Sequence, residues 1–377
     1  MEQKNFKGLA ETAAKPTAIL LAVLSVLLIL TLLFGISRLS KPSSPRSPQN
    51  SPDAAAKLCI GFSIDTLALE RWQRDLDIFM DTVKKLGADI IVQNAGDSAE
   101  EQNKQLLYLM ERKVQAVVIV AKKKDSLTET IQKLRAKNIA VIAYDRLISN
   151  ADISMYISVN TEKVGELMAK QLLAQKCGHN WICMLGPEDD YNMTLIQNGV
   201  QKVIQNRAVR ITETFHTDGW NYDLSYQKAV NILTGGTIPD AIICGNDAVA
   251  GSVIQAIADY YPDHHIPLCG QDADISACQY IVRGQQDFTI YKPITRLAEL
   301  AAMYAVELAK GKTVMQTLQN LQAAVSAVGT EAETINNGYA DIPAVWLDPQ
   351  VVTKDNIDDV IIKSGFHTHG EIYRTVQ

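Results

Sequence analysis

From Leu58 onward the chain alternates short apolar runs with longer stretches of helical periodicity, and no other feature restricts its fold as tightly. Runs that read as strands open at residues 58–64 and recur at 90–93, 116–120, 140–144, 155–159, 181–185, 211–216, 241–244, 266–269 and 288–291. Between most of them lie helical stretches, at 100–113, 126–137, 162–175, 200–206, 225–233, 248–260 and 295–310. Strands that alternate with helices build right-handed βαβ units and parallel sheets. This many strands, in roughly 300 residues, call for two sheets rather than one. The expected class is α/β, with two doubly wound parallel-sheet lobes. Residues beyond Asn336 carry no clear period.

The first junction sets the tone for the others. The strand at 58–64 passes through a short loop into Leu69-Glu70-Arg71-Trp72, and then Leu76, Phe79, Met80 and Val83 recur at helical spacing. That stripe buries one face of a helix. Arg71 and Trp72 precede it, where open α/β sheets present a crevice at the carboxyl ends of their strands.

Ahead of the alternating region, residues 17–36 are uncharged and Leu-rich. At about 1.5 Å rise per residue they reach across the ~30 Å hydrocarbon core of a bilayer. Signal peptides have shorter apolar cores with a small-residue cleavage site close behind. Here Ser37-Arg38-Leu39-Ser40-Lys41 follows instead, which favours an uncleaved transmembrane anchor behind a cytoplasmic tail at 1–16. Basic residues flank both sides, so charge does not orient the span. Residues 37–56 are rich in Ser and Pro and read as an extended tether.

The net charge is −6, with no long basic run, which argues against a nucleic-acid footprint. The six cysteines are too few and scattered for a disulfide scaffold. Most sit in apolar runs as buried thiols, with a Cys177–Cys183 bridge left open. Catalytic motifs are missing: there is no G-x-S-x-G, P-loop, strand-following G-x-G-x-x-G or H-E-x-x-H. The acidic run at 188–190 lacks a histidine or activated nucleophile beside it. His367 and His369 read as a solvated pair rather than a metal site. Neither cofactor nor metal is expected, and the chain reads as a binding protein, not an enzyme.

Strand ends carry polar clusters: Tyr144-Asp145-Arg146, Asp189-Asp190-Tyr191-Asn192, Asp218-Gly219-Trp220, Gly245-Asn246-Asp247, Gln271-Asp272-Ala273-Asp274 and Tyr291-Lys292-Pro293. Asp and Asn cap helices and Gly makes turns, and Asp247 and Asp274 read as caps. Caps have no need of Arg146, Trp220 or Lys292. Together these groups suit a neutral polyhydroxylated ligand. Carboxylates and amides accept from hydroxyls, Arg and Lys donate, and indole faces cover C–H surfaces.

These clusters, in this order, resemble the xylose-binding members of the ribose-type periplasmic sugar-binding family of bacterial importers, from about residue 57 to about 366. The resemblance is carried by LALERWQRDLDIF at 67–79, IAVIAYDRLISNADISMYISVNTEKVGEL at 139–167, DGW at 218–220, GNDAVAG at 245–251, GQDAD at 270–274, TIYKPI at 289–294 and VVTKDNIDDVIIKSGF at 351–366. It implies a pocket made of Arg71, Trp72, Asp145, Arg146, Asp190, Asn192, Trp220, Asn246, Asp272 and Lys292. It also implies lobes joined by three crossover strands, a first lobe of 57–160 plus about 293–328 and a second of 161–292 plus about 329–366. The departure at Ser158-Val159-Asn160-Thr161-Glu162 lies at a crossover.

The implied function is an extracytoplasmic receptor for D-xylose or a similar pentose, closing on its ligand. The anchor departs from the family's cleaved or lipidated leader and favours signalling to a membrane sensor histidine kinase over service to an ABC permease. Two other classes bear on the reading. A sugar-metabolising enzyme would turn xylose over, and a DNA-binding regulator of this fold needs a helix-turn-helix where the uncharged span stands.

Overall fold

The computed structural model describes residues 57–326 and 331–374. The expected tail, anchor and tether at 1–56 lie outside them. Among the described residues no helix is long and apolar enough to cross a membrane.

Strand β1 (Cys59–Ile64) is almost wholly buried, as a central parallel strand must be when helices cover both faces of its sheet. It leads into α1 (Glu70–Lys85), whose Trp72, Leu76, Phe79 and Val83 share a core with Phe62 and Ile64, and α2 (Ala99–Glu111) and α3 (Thr128–Ala136) follow. The remaining strands of this sheet are β2 (Asp89–Asn94), β3 (Ala116–Ile119), β4 (Ala140–Tyr144), β5 (Met155–Val159), β11 (Glu331–Asn336) and β12 (Asp341–Leu347). The second sheet contains β6 (Asn180–Leu185), β7 (Arg210–His216), β8 (Ala241–Cys244), β9 (Leu268–Gln271), β10 (Phe288–Tyr291) and β13 (Gln350–Thr353).

Strand order is β11-β12-β5-β4-β3-β1-β2 in the first sheet and β13-β10-β9-β8-β6-β7 in the second. All pairs are parallel except β11 with β12 and β10 with β13. Five successive strands in each sheet thus follow one doubly wound order, which reverses between β1 and β3 and between β6 and β8. At such a reversal the flanking helices diverge and leave a crevice at the carboxyl ends of the strands.

The chain passes between lobes at 159–161, 291–294 and 347–350. The third passage is later than the expected boundary near 329. The reason is that β12 pairs with β5 and buries Val345 and Leu347 in the first lobe's core, so residues 331–347 extend the first sheet. At the first passage Asn160 donates its N–H to the Leu347 carbonyl and caps α4 (Thr161–Ala174) through its side chain. The first and third passages are also tied by Lys163 to Asp348, at 2.7 Å.

Three helices differ from the periodicity reading. Helix α5 (Tyr191–Ile204) starts well before residue 200, because Asp190 caps it and its first turn is polar. The chain also forms α8 (Ile275–Arg283) and α10 (Val314–Ser326), which follow α6 (Tyr222–Thr234) and α7 (Asp247–Tyr260) and flank α9 (Ile294–Ala309). All six cysteines are free thiols, so the Cys177–Cys183 bridge does not form. Burial alone pushes the Cys183 thiol up to about 12, which leaves it an inert apolar residue.

Candidate functional site

Arg71 and Trp72 stand in the first turn of α1. Arg71 donates through Nη2 to Asp145 at 2.6 Å, through Nε to Asp75 at 3.3 Å and through Nη1 to Asp272 of the second lobe at 3.5 Å. Trp72 is buried in the first lobe's core beneath two guanidinium groups, Arg71 at 4.3 Å and Arg146 at 5.6 Å from its ring centre.

Asp145 and Arg146 follow β4 in a tight turn. Asp145 has φ +62°, a left-handed conformation that Asp tolerates better than most residues. Its carbonyl accepts from Tyr156 Oη at 2.6 Å and Ser158 Oγ at 2.8 Å, which holds the strained turn in place. Arg146 reaches back across the sheet. It donates to Asp65 at the end of β1 and to the Ala121 carbonyl beyond β3, the latter at 3.2 Å, so it spans the reversal in strand order. Its Nε also pairs with Asp190 of the second lobe at 3.0 Å.

The second lobe answers from the starts of its helices. Asp190 accepts from the Asn192 N–H at 3.0 Å, and Asn192 donates across the cleft to Asp145 at 2.8 Å. Asp272, at φ +100°, pairs with Lys292 at 2.9 Å. Trp220 lies so close on Gly186 that a Cβ there would sit 2.2 Å from the indole. Asn246 caps α7 through the Val249 N–H and approaches Tyr222 Oη at 3.3 Å.

Arg71, Trp72, Asp145, Arg146, Asp190, Asn192, Asp272 and Lys292 therefore form one connected set spanning both lobes. Trp220 and Asn246 stand at neighbouring strand ends. The expected caps differ: Asn246, not Asp247, caps α7, and Asp274 makes no side-chain cap bond to α8. His367 is buried, not solvated, because the C-terminal segment packs against the second lobe. The sequence reading did not single out Asp65, Asp75 or Tyr222. Asp65 had a signal of position, directly after the apolar run of β1, and Asp75 faces Arg71 one helical turn on.

Three buried cations, Arg71, Arg146 and Lys292, meet five buried carboxylates, Asp65, Asp75, Asp145, Asp190 and Asp272. Burial alone would raise the Asp145 carboxyl, but Arg71, Lys292 and Arg146 outweigh it and hold it down at about 2. Burial prevails at Asp75, pushed up to about 7 against the pull of Arg71. Attraction to cations thus wins at Asp145 and burial at its neighbour Asp75. Trp72 Nε1 and Asn192 Oδ1 are buried without a hydrogen-bond partner, so each has capacity for a ligand. Among the described residues no three His, Cys, Asp or Glu side chains are arranged to hold a metal ion.

Behind Asp272, buried Asp247 accepts from Thr289 at 2.8 Å, Gln286 at 2.9 Å and the Asp274 N–H at 3.1 Å. Burial pushes its carboxyl from 3.8 to about 8 even against these donors. The folded protein then keeps a proton that the unfolded chain releases. Stability from this group is complete below the unfolded value and is lost as pH rises through the folded one. The unfolding midpoint of the wild type should fall relative to Asp247→Asn between pH 3.8 and about 8. Parallel midpoints across that window would refute a buried neutral Asp247.

The family model described as a periplasmic binding protein domain matches residues 60–313. The chain is 38% identical over 321 residues to the D-xylose-binding periplasmic protein of Haemophilus influenzae, covering 84% of this chain and 92% of that one. It is 37% identical over 323 residues to the protein of the same description in Escherichia coli K12, covering 84% and 93%. Among solved structures, an ABC transporter solute-binding protein from Clostridium phytofermentans with bound β-D-glucose superposes with a TM-score of 0.74 at 23% identity, covering 83% of this chain and 99% of that one. That likeness speaks for the fold. These relatives bind sugars and are not enzymes. The chain belongs to the periplasmic binding protein family, as a non-enzymatic sugar-binding protein most similar in sequence to the xylose-type members compared.

Proposed function

We propose that the cleft binds D-xylose, or a pentose close to it, and that the lobes close upon it. The observation that carries this is the connected polar set across the two lobes. Its carboxylates and Asn192 suit sugar hydroxyls as acceptors, its Arg and Lys groups and the Trp72 N–H suit sugar oxygens as donors, and Trp220 offers an apolar face for C–H surfaces. The surplus of carboxylates over cations supports a neutral sugar rather than a sugar acid or phosphate, because a second anion would be repelled in a buried site. Likeness to the two xylose-binding proteins supports a pentose. A ligand that touches both walls favours the closed form by its differential affinity for it. Titration calorimetry of the full chain in detergent against D-xylose, L-arabinose, D-ribose, D-glucose and D-xylonate tests this. Heat with D-xylose and none with D-xylonate is expected, and silence with every neutral sugar would overturn the reading.

Residues 17–36 serve in this reading as a membrane anchor and 37–56 as a tether, with the binding domain on the extracytoplasmic face. An uncharged span with no lipid-acceptor cysteine beside it supports a receptor held next to one membrane partner, where tethering raises effective concentration at the cost of range. That partner is a sensor histidine kinase of a two-component system. An ABC permease is the second reading, supported by the solute-binding proteins among the structural neighbours. Deleting the gene should abolish xylose induction of transport genes yet leave uptake intact when those genes run from an independent promoter. Loss of uptake under that promoter would favour the permease.

A further inference from the structure

A second bridge joins the lobes away from the residues assigned to the sugar. Arg74 lies on α1 of the first lobe, one turn beyond Arg71. Its side chain crosses to the second lobe, where Nη1 donates to the Phe366 carbonyl at 2.5 Å and the guanidinium lies 4.3 Å from the centre of the Phe366 ring. Phe366 belongs to the second lobe's core with Tyr291, Val352 and Ile361. Nη2 of Arg74 lies 3.4 Å from His367 Nδ1, and His367 Nε2 lies 2.8 Å from the Ala273 carbonyl.

The last contact settles the tautomer. A carbonyl can only accept, so Nε2 carries the proton and Nδ1 is left as an acceptor facing Arg74. Ala273 at φ +56° follows Asp272 at φ +100°, two consecutive left-handed residues without a glycine. Such a turn persists only when its surroundings hold it. On one side the Asp272 N–H bonds the Ile290 carbonyl at 2.9 Å, and on the other His367 holds Ala273. Asp272 in turn meets Lys292 and, across the cleft, Arg71.

We infer that Arg74, Phe366 and His367 form a latch that engages as the lobes close and sets the Asp272 turn, so that ligand residence depends on residues that do not touch the ligand. The identity of that ligand rests on the sugar-binding reading; the bridge itself does not. Contacts made only in the closed form slow release and leave capture unchanged.

Stopped-flow tryptophan fluorescence of the full chain with D-xylose should show Arg74→Ala releasing sugar about tenfold faster, the weight of one charge-assisted hydrogen bond. Its association rate should match the wild type. His367→Ala should behave alike. His367→Gln should stay near the wild type, because its amide donates to the Ala273 carbonyl while its oxygen faces Arg74. A sugar-independent measurement uses spin labels on Lys124→Cys and Glu188→Cys, on rims where Lys123 lies 3.9 Å from Asp189. The labelled chain carries Cys59→Ser and Cys177→Ser. Arg74→Ala should move the inter-lobe distances to longer values. A wild type that binds no xylose would remove the ligand reading while the distances still decide the latch. Wild-type release rates in both alanine variants, or unchanged distances in Arg74→Ala, would overturn it.

Discussion

Arg146→Ala should abolish measurable binding of D-xylose while the protein remains folded. Arg146 is buried and joins three places at once: Asp65 beside β1, the Ala121 carbonyl beyond β3, and Asp190 across the cleft. Burial would lower its affinity for a proton, but Asp190 and Asp65 raise it further, so it stays charged. Its removal leaves two buried carboxylates without their cation, and breaking such a pair costs about 3–5 kcal/mol. At 1.4 kcal/mol per tenfold, that weakens binding by roughly a hundredfold to a few thousandfold. Part of the cost falls on Asp65 within the first lobe, so circular dichroism and the unfolding midpoint must accompany the titration. Asp272→Ala is the companion variant, since it strips Lys292 of its partner at 2.9 Å and Arg71 of its contact across the cleft. Near-normal affinity in both variants would overturn the assignment of the site.

Gly199→Ala should destabilise the second lobe by about 3 kcal/mol, the upper part of the usual range for overpacking, and weaken sugar binding with it. Helices α4 and α5 touch backbone to backbone: a Cβ at Gly199 would lie 2.0 Å from the Glu162 carbonyl oxygen, and one at Gly165 would lie 2.1 Å from that of Ile196. Neither obstacle is the end of a flexible side chain, so the helices have to separate. Movement of α5 carries Asp190 and Asn192, which cap and open it, out of register with Arg146 and Asp145. Chemical denaturation measures the first effect and calorimetry the second. An unfolding midpoint equal to that of the wild type would show that the helices separate without cost.

Much of this site was legible because strand ends in a doubly wound sheet are where ligands bind, and the polar residues there exceed what caps and turns require. Tyr144-Asp145-Arg146 and Tyr291-Lys292-Pro293 follow β4 and β10, whose limits coincide with the apolar runs at 140–144 and 288–291. Asp65 and Asp75 escaped notice for a physical reason. A lone carboxylate after a strand or within a helix carries no local sign of its partner, and Arg146 lies 81 positions beyond Asp65. Asp247 was misread because a cap and a buried neighbour of a cap look alike in sequence. Only the packing of Gln286 and Thr289 around it separates the two. His367 was misread similarly, its burial depending on Ala273 and Arg74 far away in the chain.

By itself the sequence determined which residues form strands and helices through most of the chain, that they alternate, and which polar groups stand at their junctions. These properties are local, set by apolar periodicity over a few residues and by caps and turns. Tertiary structure alone decided that two sheets adopt the same strand order, since strand order is set by pairing between segments distant in sequence. It also decided that residues 331–347 return to the first lobe, because β12 finds its apolar partner along the edge of β5. The bridges of Arg71, Arg146 and Arg74 to the second lobe were likewise settled only there. Each depends on two segments distant in sequence meeting across a cleft, and a contact of that kind leaves no mark in the neighbourhood of either residue.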